Sequence, residues 1–261
     1  MMTALRGALG FFTRIPVGRT EAAWEAFVDS PWTFPVVGYL VGALVATPLV
    51  LAGAVPLPAA TVTLAVVVVT YAVTGITHLD GVADLGDAAV VHGDAADRRA
   101  VMRDSALGVG GTLALVLVIV GLATGVLEVV GIGSAAVSGG VDPAAAVALV
   151  VVAEVSARAA AGLLICVSDA AHTGLGSAVT DPSGARAALP VLVLVVPAVA
   201  LGWPRLAPSF AALVAALGTA AVLRWWATRR LGGVSGDVLG ATIELSRVAA
   251  LHAGVVAWTL S

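Results

Sequence analysis

Residues 78–105 combine acidic and basic side chains in a pattern that could bind a metal ion. Within this stretch Asp80, Asp84 and Asp87 are spaced i, i+4, i+7, so they lie on one face if the segment is helical. Like charges at this spacing repel each other, and a divalent cation would remove that repulsion. Ligation by carboxylates favours a hard ion such as Mg²⁺ or Mn²⁺, and Mg²⁺ commonly shares its coordination with substrate phosphates. The spacing therefore predicts a magnesium site; the alternative interpretation is an acidic loop exposed to water.

The residues that follow offer groups suited to phosphate. Asp94 and Asp97 predict the start of a short helix. After that helix, an arginine precedes a glycine-rich turn, and the turn begins the next apolar run. Backbone N–H groups at the positive end of a helix bind anions, so the turn is a candidate phosphate site. The candidate residues in this stretch are Arg103, Asp104, Ser105 and Gly108.

A second glycine turn precedes the last apolar run. It contains Gly232 and Gly233, followed by the hydroxyl of Ser235 and the carboxylate of Asp237. The alternative interpretation is a flexible hinge in which Asp237 caps the following helix. Both glycine turns therefore predict a polar site that is built from loops.

The composition indicates that lipid covers much of the molecule. Of the 261 residues, 60% are hydrophobic and only 11% are charged, and the mean hydropathy is +1.06. Soluble domains carry about 25% charged residues. The net charge of −3 argues against a nucleic-acid-binding surface. Cys166 is the single cysteine, so the chain can form neither an internal disulfide nor a cysteine metal site.

The apolar segments predict an all-α, polytopic membrane protein. A membrane-spanning helix needs roughly 20 apolar residues, because the hydrocarbon core is about 30 Å thick. We predict about seven such helices after a short amphipathic N-terminal helix, with residues 1–261 forming a single membrane domain. The predicted spans are about 35–54, 57–77, 109–130, 144–166, 188–202, 208–226 and 239–260.

The arginines orient these segments. With a cytoplasmic N-terminus, the cytoplasmic parts hold ten arginines, whereas the outer loops hold only Arg205. Cytoplasmic loops of membrane proteins carry such an excess of basic residues. We therefore expect a multi-pass protein of the cell membrane whose polar loops, about 78–107, 167–187 and 227–238, face the cytoplasm.

Two closely spaced pairs of opposite charge lie inside predicted spans. Glu154 and Arg158 are four residues apart, and Glu244 and Arg247 are three apart. Ionisable groups in a membrane are costly and usually face the interior of the bundle. Each pair either locks helices together or lines a substrate cavity that opens on the cytoplasmic side. His172 belongs to no such pattern, and we interpret it as structural.

Five phrases along the chain point to a family. They are Phe12–Val17, Phe34–Gly38, His78–Asp84, Met102–Ser105 and Gly232–Asp237. In this order they resemble the signature of the cobalamin synthase family, the adenosylcobinamide-GDP ribazoletransferases. The resemblance runs from residue 12 to about 245, so it implies a membrane enzyme that acts late in cobalamin biosynthesis.

The resemblance also implies a reaction and roles for the candidate residues. A ribose hydroxyl of α-ribazole, or of its 5′-phosphate, attacks the cobinamide-side phosphate of adenosylcobinamide-GDP, and GMP leaves. Mg²⁺ would be the cofactor, held by the three carboxylates. Arg103 would neutralise phosphate oxygens, and Asp104 or a carboxylate at the edge of the metal site would accept the proton. The implied substrate-binding residues are Arg14, His78, Ser105, Gly108, Gly232, Gly233 and Asp237.

Two other functions compete with this one. A membrane phosphotransferase of the CDP-alcohol type also has an Asp-Gly motif at a helix end, but its pattern needs an aspartate at Thr77 and an arginine at Asp84. A divalent-cation transporter should place its carboxylates near the middle of the membrane, where only Glu154 lies. We therefore prefer the transferase, with the two substrates and the lipid bilayer as partners, no nucleic acid, and a homo-oligomer left open.

Overall fold

The computed structural model describes residues 1–55, 57–133, 142–180 and 184–261, so positions 181–183 of the predicted polar loop 167–187 lie outside it. Helix makes up 79% of the structure, and the described ranges contain no strand. An isolated bridge joins Ala170 to Val234 and ties two loops together. The predicted all-α membrane architecture is confirmed.

The helices follow one another along the chain with short connections. A 3₁₀ turn at Ala185–Ala187 leads directly into the eleventh α-helix. In the described residues the α-helices are α1 (Met2–Phe12), α2 (Glu21–Val28), α3 (Thr33–Val45), α4 (Thr47–Ala54), α5 (Ala59–Thr74), α6 (Thr77–Val90), α7 (Ala95–Met102), α8 (Val109–Ile132), α9 (Pro143–Cys166), α10 (Leu175–Thr180), α11 (Ala188–Ala200), α12 (Leu206–Arg230) and α13 (Gly236–Thr259).

Five segments of the described chain are long and apolar enough to cross a membrane. They are α3 with α4, α8, α9, α12 and α13, each of 22 to 25 residues. A sixth is counted if α5 and α6, which meet at 97°, form one broken span. The predicted spans 57–77 and 188–202 correspond to shorter helices, α5 with 16 residues and α11 with 13. The count of seven therefore stays a prediction that depends on these two helices.

Contacts at the helix ends favour a crossing by α11. Near the end of α12, Arg224 donates a 2.7 Å hydrogen bond from Nη2 to the Val167 carbonyl, just after α9. At the start of α12, Arg205 lies over the ring of Trp258 near the end of α13. The chain must therefore pass from one end of the bundle to the other between α9 and α12, and α11 lies on that path.

Helix α9 lies at the centre of the bundle. Of the residues that would cross the membrane in α9, 94% are buried. The corresponding fraction in α3–α4, α8 and α12 is only 28–39%, so the other faces of these helices are left to lipid. Glycines let α3 approach closely: a Cβ on Gly38 would lie 2.7 Å from the Val155 Cα, and one on Gly42 would lie 2.8 Å from the Val151 Cα. The order of these contacts shows that α3 and α9 are antiparallel.

Two N-terminal helices, rather than the single amphipathic helix predicted, precede the spans. α1 and α2 form a hairpin so close that a Cβ on Gly7 would lie 2.0 Å from the Ala23 carbonyl oxygen. Phe12 packs edge to face against Phe27 and Phe34, with ring centroids 5.8 and 4.7 Å away. This aromatic cluster fastens the hairpin to the end of the bundle where α3 begins.

Candidate active site

The acidic helix α6 follows a sharp turn after α5. Gly75 adopts φ +75°, the left-handed conformation that glycine tolerates, and α6 begins two residues later. Because α6 is helical from Thr77 to Val90, Asp80, Asp84 and Asp87 share one face, as their spacing predicted. Asp80 is exposed and Asp84 is half-buried, so this face is open to solvent.

Asp87 caps the neighbouring helix. Its two carboxylate oxygens accept hydrogen bonds from the N–H groups of Gly108 and Gly111, each at 2.8 Å. A carboxylate stabilises the positive N-terminal end of a helix, here that of α8. The glycine turn was predicted to hold phosphate, but the donors of Gly108 and Gly111 are already used by Asp87.

Replacement of Asp87 by alanine is expected to weaken the fold. The N–H groups of Gly108 and Gly111 would lose their partners, and loss of a helix cap typically costs about 1 kcal/mol. The unfolding temperature in detergent should fall by about 2–4 °C, while the Mg²⁺ concentration for half-maximal stabilisation should stay the same. A large change in that Mg²⁺ concentration would instead make Asp87 a metal ligand.

The start of α13 joins the acidic face of α6. A Cβ on Gly81 would lie 2.5 Å from the Asp237 carbonyl oxygen, so the two backbones are in contact here. Burial, followed in order of importance by the negative charges of Asp237, Asp80 and Asp87, raises the pKa of Asp84 to about 7. We call Asp84 and the three carboxylates whose charges act on it, Asp80, Asp87 and Asp237, the carboxylate cluster.

A hard cation fits this cluster. Among the residues that the structure describes, no three His, Cys, Asp or Glu side chains form a complete metal site. Mg²⁺ does not require one, because one or two carboxylates usually hold it together with waters and substrate phosphates. Crowded negative charge around Asp84 would be relieved by a cation. Asp80 and Asp84 are the residues that could hold the ion, since Asp87 is engaged in capping α8.

A cavity of about 810 Å³ opens beside the carboxylate cluster. It lies between the α1–α2 hairpin and the first two turns of α13, and its walls are mainly apolar. Asp237 belongs both to the carboxylate cluster and to the cavity lining. Of the residues predicted from the sequence, His78 and Asp237 line this cavity and the others lie outside it.

Most lining residues were not predicted as site residues, and Arg6, Arg19 and His172 are among them. Arg6 is held in place, because its Nε donates a 2.7 Å hydrogen bond to the Val17 carbonyl. His172, interpreted from the sequence as structural, is exposed and lines the cavity together with Asp237. No local sequence motif identifies His172 as a site residue. It lies in the site because the loop after α9 contacts the loop before α13.

The glycine turn before α13 holds these two loops together. Gly232 and Gly233 have φ values of +87° and +154°, and a Cβ on Gly233 would lie 2.6 Å from the Ala170 carbonyl carbon. The Ala171 N–H donates to the Val234 carbonyl at 2.9 Å. The two glycines therefore allow a close contact between loops, which explains them without a bound phosphate.

Ser235, and not Asp237, caps α13. The Ser235 hydroxyl accepts a hydrogen bond from the Val238 N–H and donates one to the Asp237 carboxylate at 3.3 Å. Asp237 lies in the first turn, where the helix dipole favours a negative charge. The interpretation of Asp237 as the helix cap is therefore wrong, and its carboxylate is positioned at the rim of the cavity.

The remaining predicted residues are exposed. Arg103, Asp104 and Ser105 follow α7, and Asp104 accepts a hydrogen bond from a nearby backbone N–H at 3.1 Å. Arg14 packs against the turn between α5 and α6, where a Cβ on Gly75 would lie 3.3 Å from the Arg14 Cδ. Within the described chain these side chains form no ion pair, so the arginines remain available to an anionic ligand.

The two pairs of opposite charge inside the membrane form one network. Arg247 of α13 donates to Glu154 of α9 through Nε at 2.6 Å, and to Glu244 through Nη1 at 2.5 Å. Glu154 also pairs with Arg158. All four residues are at most 1% exposed, and their formal charges cancel. The two pairs seen in the sequence are therefore joined across α9 and α13.

His78 connects this network to the cavity. It lines the cavity, and its Nδ1 lies 3.8 Å from Glu244 Oε1. The Tyr71 hydroxyl of α5 donates to the other Glu244 oxygen at 3.3 Å. The buried charges thus link helices, as one of the two interpretations from the sequence expected, and they approach the cavity only through His78, which lines it.

The fold and the site together define a helical, polytopic membrane protein with a carboxylate cluster and a cavity at one end of the bundle. The family model described as cobalamin-5-phosphate synthase matches residues 4–255. The chain therefore belongs to the cobalamin-5-phosphate synthase family.

Relatives named adenosylcobinamide-GDP ribazoletransferase match the chain along its length. One from Halorubrum lacusprofundi is 63% identical over 259 residues, covering 99% of both chains. One from Haloquadratum walsbyi is 45% identical over 265 residues and covers both chains completely. One from Pyrobaculum aerophilum is 32% identical and covers 95% of this chain and 94% of its own. No solved structure matches the chain.

Proposed function

We propose that this chain joins α-ribazole, or its 5′-phosphate, to adenosylcobinamide-GDP and releases GMP, a late step of cobalamin biosynthesis. The observation that carries the proposal is the family match over residues 4–255, with relatives of that name matched from end to end. The carboxylate cluster beside a ligand-sized cavity supports it. The same match argues against the CDP-alcohol phosphotransferase and the cation transporter.

The transfer breaks the phosphoanhydride bond of the diphosphate and forms a phosphate ester bond. The ribose hydroxyl oxygen bonds to the cobinamide-side phosphorus, the bond from that phosphorus to the bridging oxygen breaks, and GMP leaves with that oxygen. The hydroxyl proton passes to a base, and Asp237 is suited to accept it because it borders both the cavity and Asp84. Asp104 is the second candidate for this base. Its carboxylate is exposed, but it accepts a hydrogen bond from a backbone N–H of its own turn.

Positive charge on the loop side completes the proposed mechanism. Mg²⁺ bound by Asp80 and Asp84 would supply charge to the diphosphate and to the leaving GMP. Arg103 is exposed, makes no ion pair with the described residues, and can contact phosphate oxygens. The protein's own contribution is mainly to position the two substrates.

Incubation of the purified protein with adenosylcobinamide-GDP, α-ribazole and Mg²⁺ tests the function. GMP and the joined corrinoid product should appear in equal amounts, and a parallel reaction with α-ribazole 5′-phosphate identifies the preferred acceptor. Removal of Mg²⁺ with a chelator should stop the reaction. Absence of GMP with both acceptors would refute the proposal, and GMP without the joined product would indicate hydrolysis.

We propose that the loop end of the bundle faces the cytoplasm, which the excess of arginines there supports. Cysteine introduced at Ala96, which is exposed on α7, should be shielded from an impermeant thiol reagent in intact cells. Cysteine introduced at Ser261 should be labelled. The native Cys166 is buried and gives little background. The opposite labelling pattern would invert the topology.

A further inference from the structure

The cavity beside the carboxylate cluster is aromatic on one side. Phe11, Phe12, Trp24 and Phe34 line it from the N-terminal hairpin and α3. Phe11 and Trp24 are only partly buried, with ring centroids 6.0 Å apart, so their faces are available to a ligand. Aromatic walls of this kind favour a flat, apolar ring that can stack on them.

The opposite wall is α13, which gives the cavity a polar rim and an apolar interior. Asp237 lies at the rim, and Leu239 and Ile243 follow deeper along the helix. Asp237 and Ile243 are six residues apart, which is about 9 Å along a helix. A ligand in the cavity can therefore bury an apolar part and still reach the carboxylate cluster with a polar end.

One buried polar group faces this interior. His78 is 6% exposed, and no hydrogen bond to the described residues engages its ring. Glu244 lies 3.8 Å from its Nδ1, which favours the proton on that nitrogen and leaves Nε2 as an acceptor. A ligand hydroxyl would satisfy this acceptor.

The volume of the cavity indicates which of the two substrates it can hold. Its volume of about 810 Å³ lies within the roughly 300–1,000 Å³ that sites for drug-sized ligands occupy. α-Ribazole, a ribose carrying a flat benzimidazole ring, is of that size. Adenosylcobinamide-GDP, with a corrin macrocycle and two nucleoside groups, is far larger.

We propose that the cavity is the binding site of the acceptor, with the benzimidazole ring against Phe11 and Trp24 and the ribose at the Asp237 rim. The corrinoid donor then binds outside the cavity, with its diphosphate beside the Mg²⁺ that Asp80 and Asp84 would hold. This inference rests on the proposed function and assigns the substrates to separate parts of the site. In this arrangement Asp237 lies close to the attacking hydroxyl and to the phosphate, at the boundary between the two binding sites.

Gly10→Leu tests the assignment. Gly10 lines the cavity, and an added Cβ would meet only Val17 at an ordinary 3.6 Å, so a leucine can be accommodated while its side chain reduces the space. We expect the KM for α-ribazole, and its Kd measured by calorimetry without donor, to rise at least tenfold. The KM for adenosylcobinamide-GDP should change less than twofold. Gly218→Leu on the exposed face of α12, where an added Cβ meets nothing within 4 Å, is the matched control.

Other outcomes would overturn the assignment. A rise in the KM for adenosylcobinamide-GDP alone would place the donor in the cavity. Unchanged binding of both substrates by a folded Gly10→Leu protein would leave the cavity to lipid. If Gly10→Leu does not fold, Trp24→Ala, which removes one wall, should weaken α-ribazole binding in the same assays. If the wild type releases no GMP, the proposed function fails, whereas calorimetry with α-ribazole still decides the binding site.

Discussion

Asp84→Asn is expected to lower the turnover number by about 10²–10³-fold or more while the protein stays folded in the membrane. Asp84 is the carboxylate on which the charges of Asp80, Asp87 and Asp237 converge, and it is one of two proposed Mg²⁺ ligands. The amide keeps the shape of the side chain but removes a charge and a strong ligand. GMP release at saturating substrates, measured over a range of Mg²⁺ concentrations, checks the expected loss.

Although Asp84→Asn should be less active than the wild type, it should be slightly more stable. Without Mg²⁺, repulsion within the cluster is reduced, so Asp84→Asn should unfold at a slightly higher temperature than the wild type. The pKa of Asp84 is about 7 in the folded protein and 3.8 ordinarily, so the folded state binds its proton more tightly. Protonated Asp84 therefore contributes to the free energy of unfolding at low pH, and this contribution is lost as the pH rises from about 4 to about 7. The variant should lose that part of the pH dependence and most of the stabilisation by Mg²⁺.

Asp97→Asn is the matched control for this prediction. Asp97 is exposed and accepts a 3.1 Å hydrogen bond from the Asp94 N–H at the start of α7. An amide oxygen can accept the same bond, so activity should remain within about twofold of the wild type. If Asp84→Asn were as active as Asp97→Asn, or responded to Mg²⁺ like the wild type, the acidic face of α6 would be only a solvated surface.

Features that depend on neighbouring residues in the chain could be predicted from the sequence. The i, i+4, i+7 spacing placed three aspartates on one face of α6, because helical periodicity is a local property. The pair Asp94 and Asp97 likewise forms the capping box of the predicted short helix α7. The long membrane helices could be predicted because the lengths of their apolar segments match the thickness of a bilayer. The N-terminal hairpin and the short helices α5 and α11 do not follow this relation between length and bilayer thickness.

Features that depend on packing between helices could not be predicted in this way. Asp87 was assigned to the metal with its helical neighbours, but its hydrogen-bond partners Gly108 and Gly111 are 21 and 24 residues away. The same is true of the bond between Arg247 and Glu154, which spans 93 residues. Periodicity shows which residues share a face, but it does not show which helix that face contacts.

Glu154→Gln is expected to destabilise the protein by about 3–5 kcal/mol, which is the usual cost of removing one partner from a buried ion pair. Glu154 is 1% exposed and pairs with both Arg158 and Arg247. With a neutral amide in its place, the buried network carries one uncompensated positive charge. Unfolding by a denaturing detergent, followed by circular dichroism, should show the loss. Glu128→Gln, on the exposed face of α8, should leave the stability unchanged.

The double variant Glu154→Gln, Arg158→Met separates charge balance from a simple loss of contacts. It removes one negative and one positive charge, so the remaining pair of Glu244 and Arg247 is again neutral, and Arg247 keeps its 2.5 Å bond to Glu244. The double variant should therefore be more stable than Glu154→Gln alone, with a coupling energy of about 0.5–3 kcal/mol in the double-mutant cycle. If the two losses simply added, Glu154 and Arg158 would act independently, and charge balance would not explain the cost of Glu154→Gln.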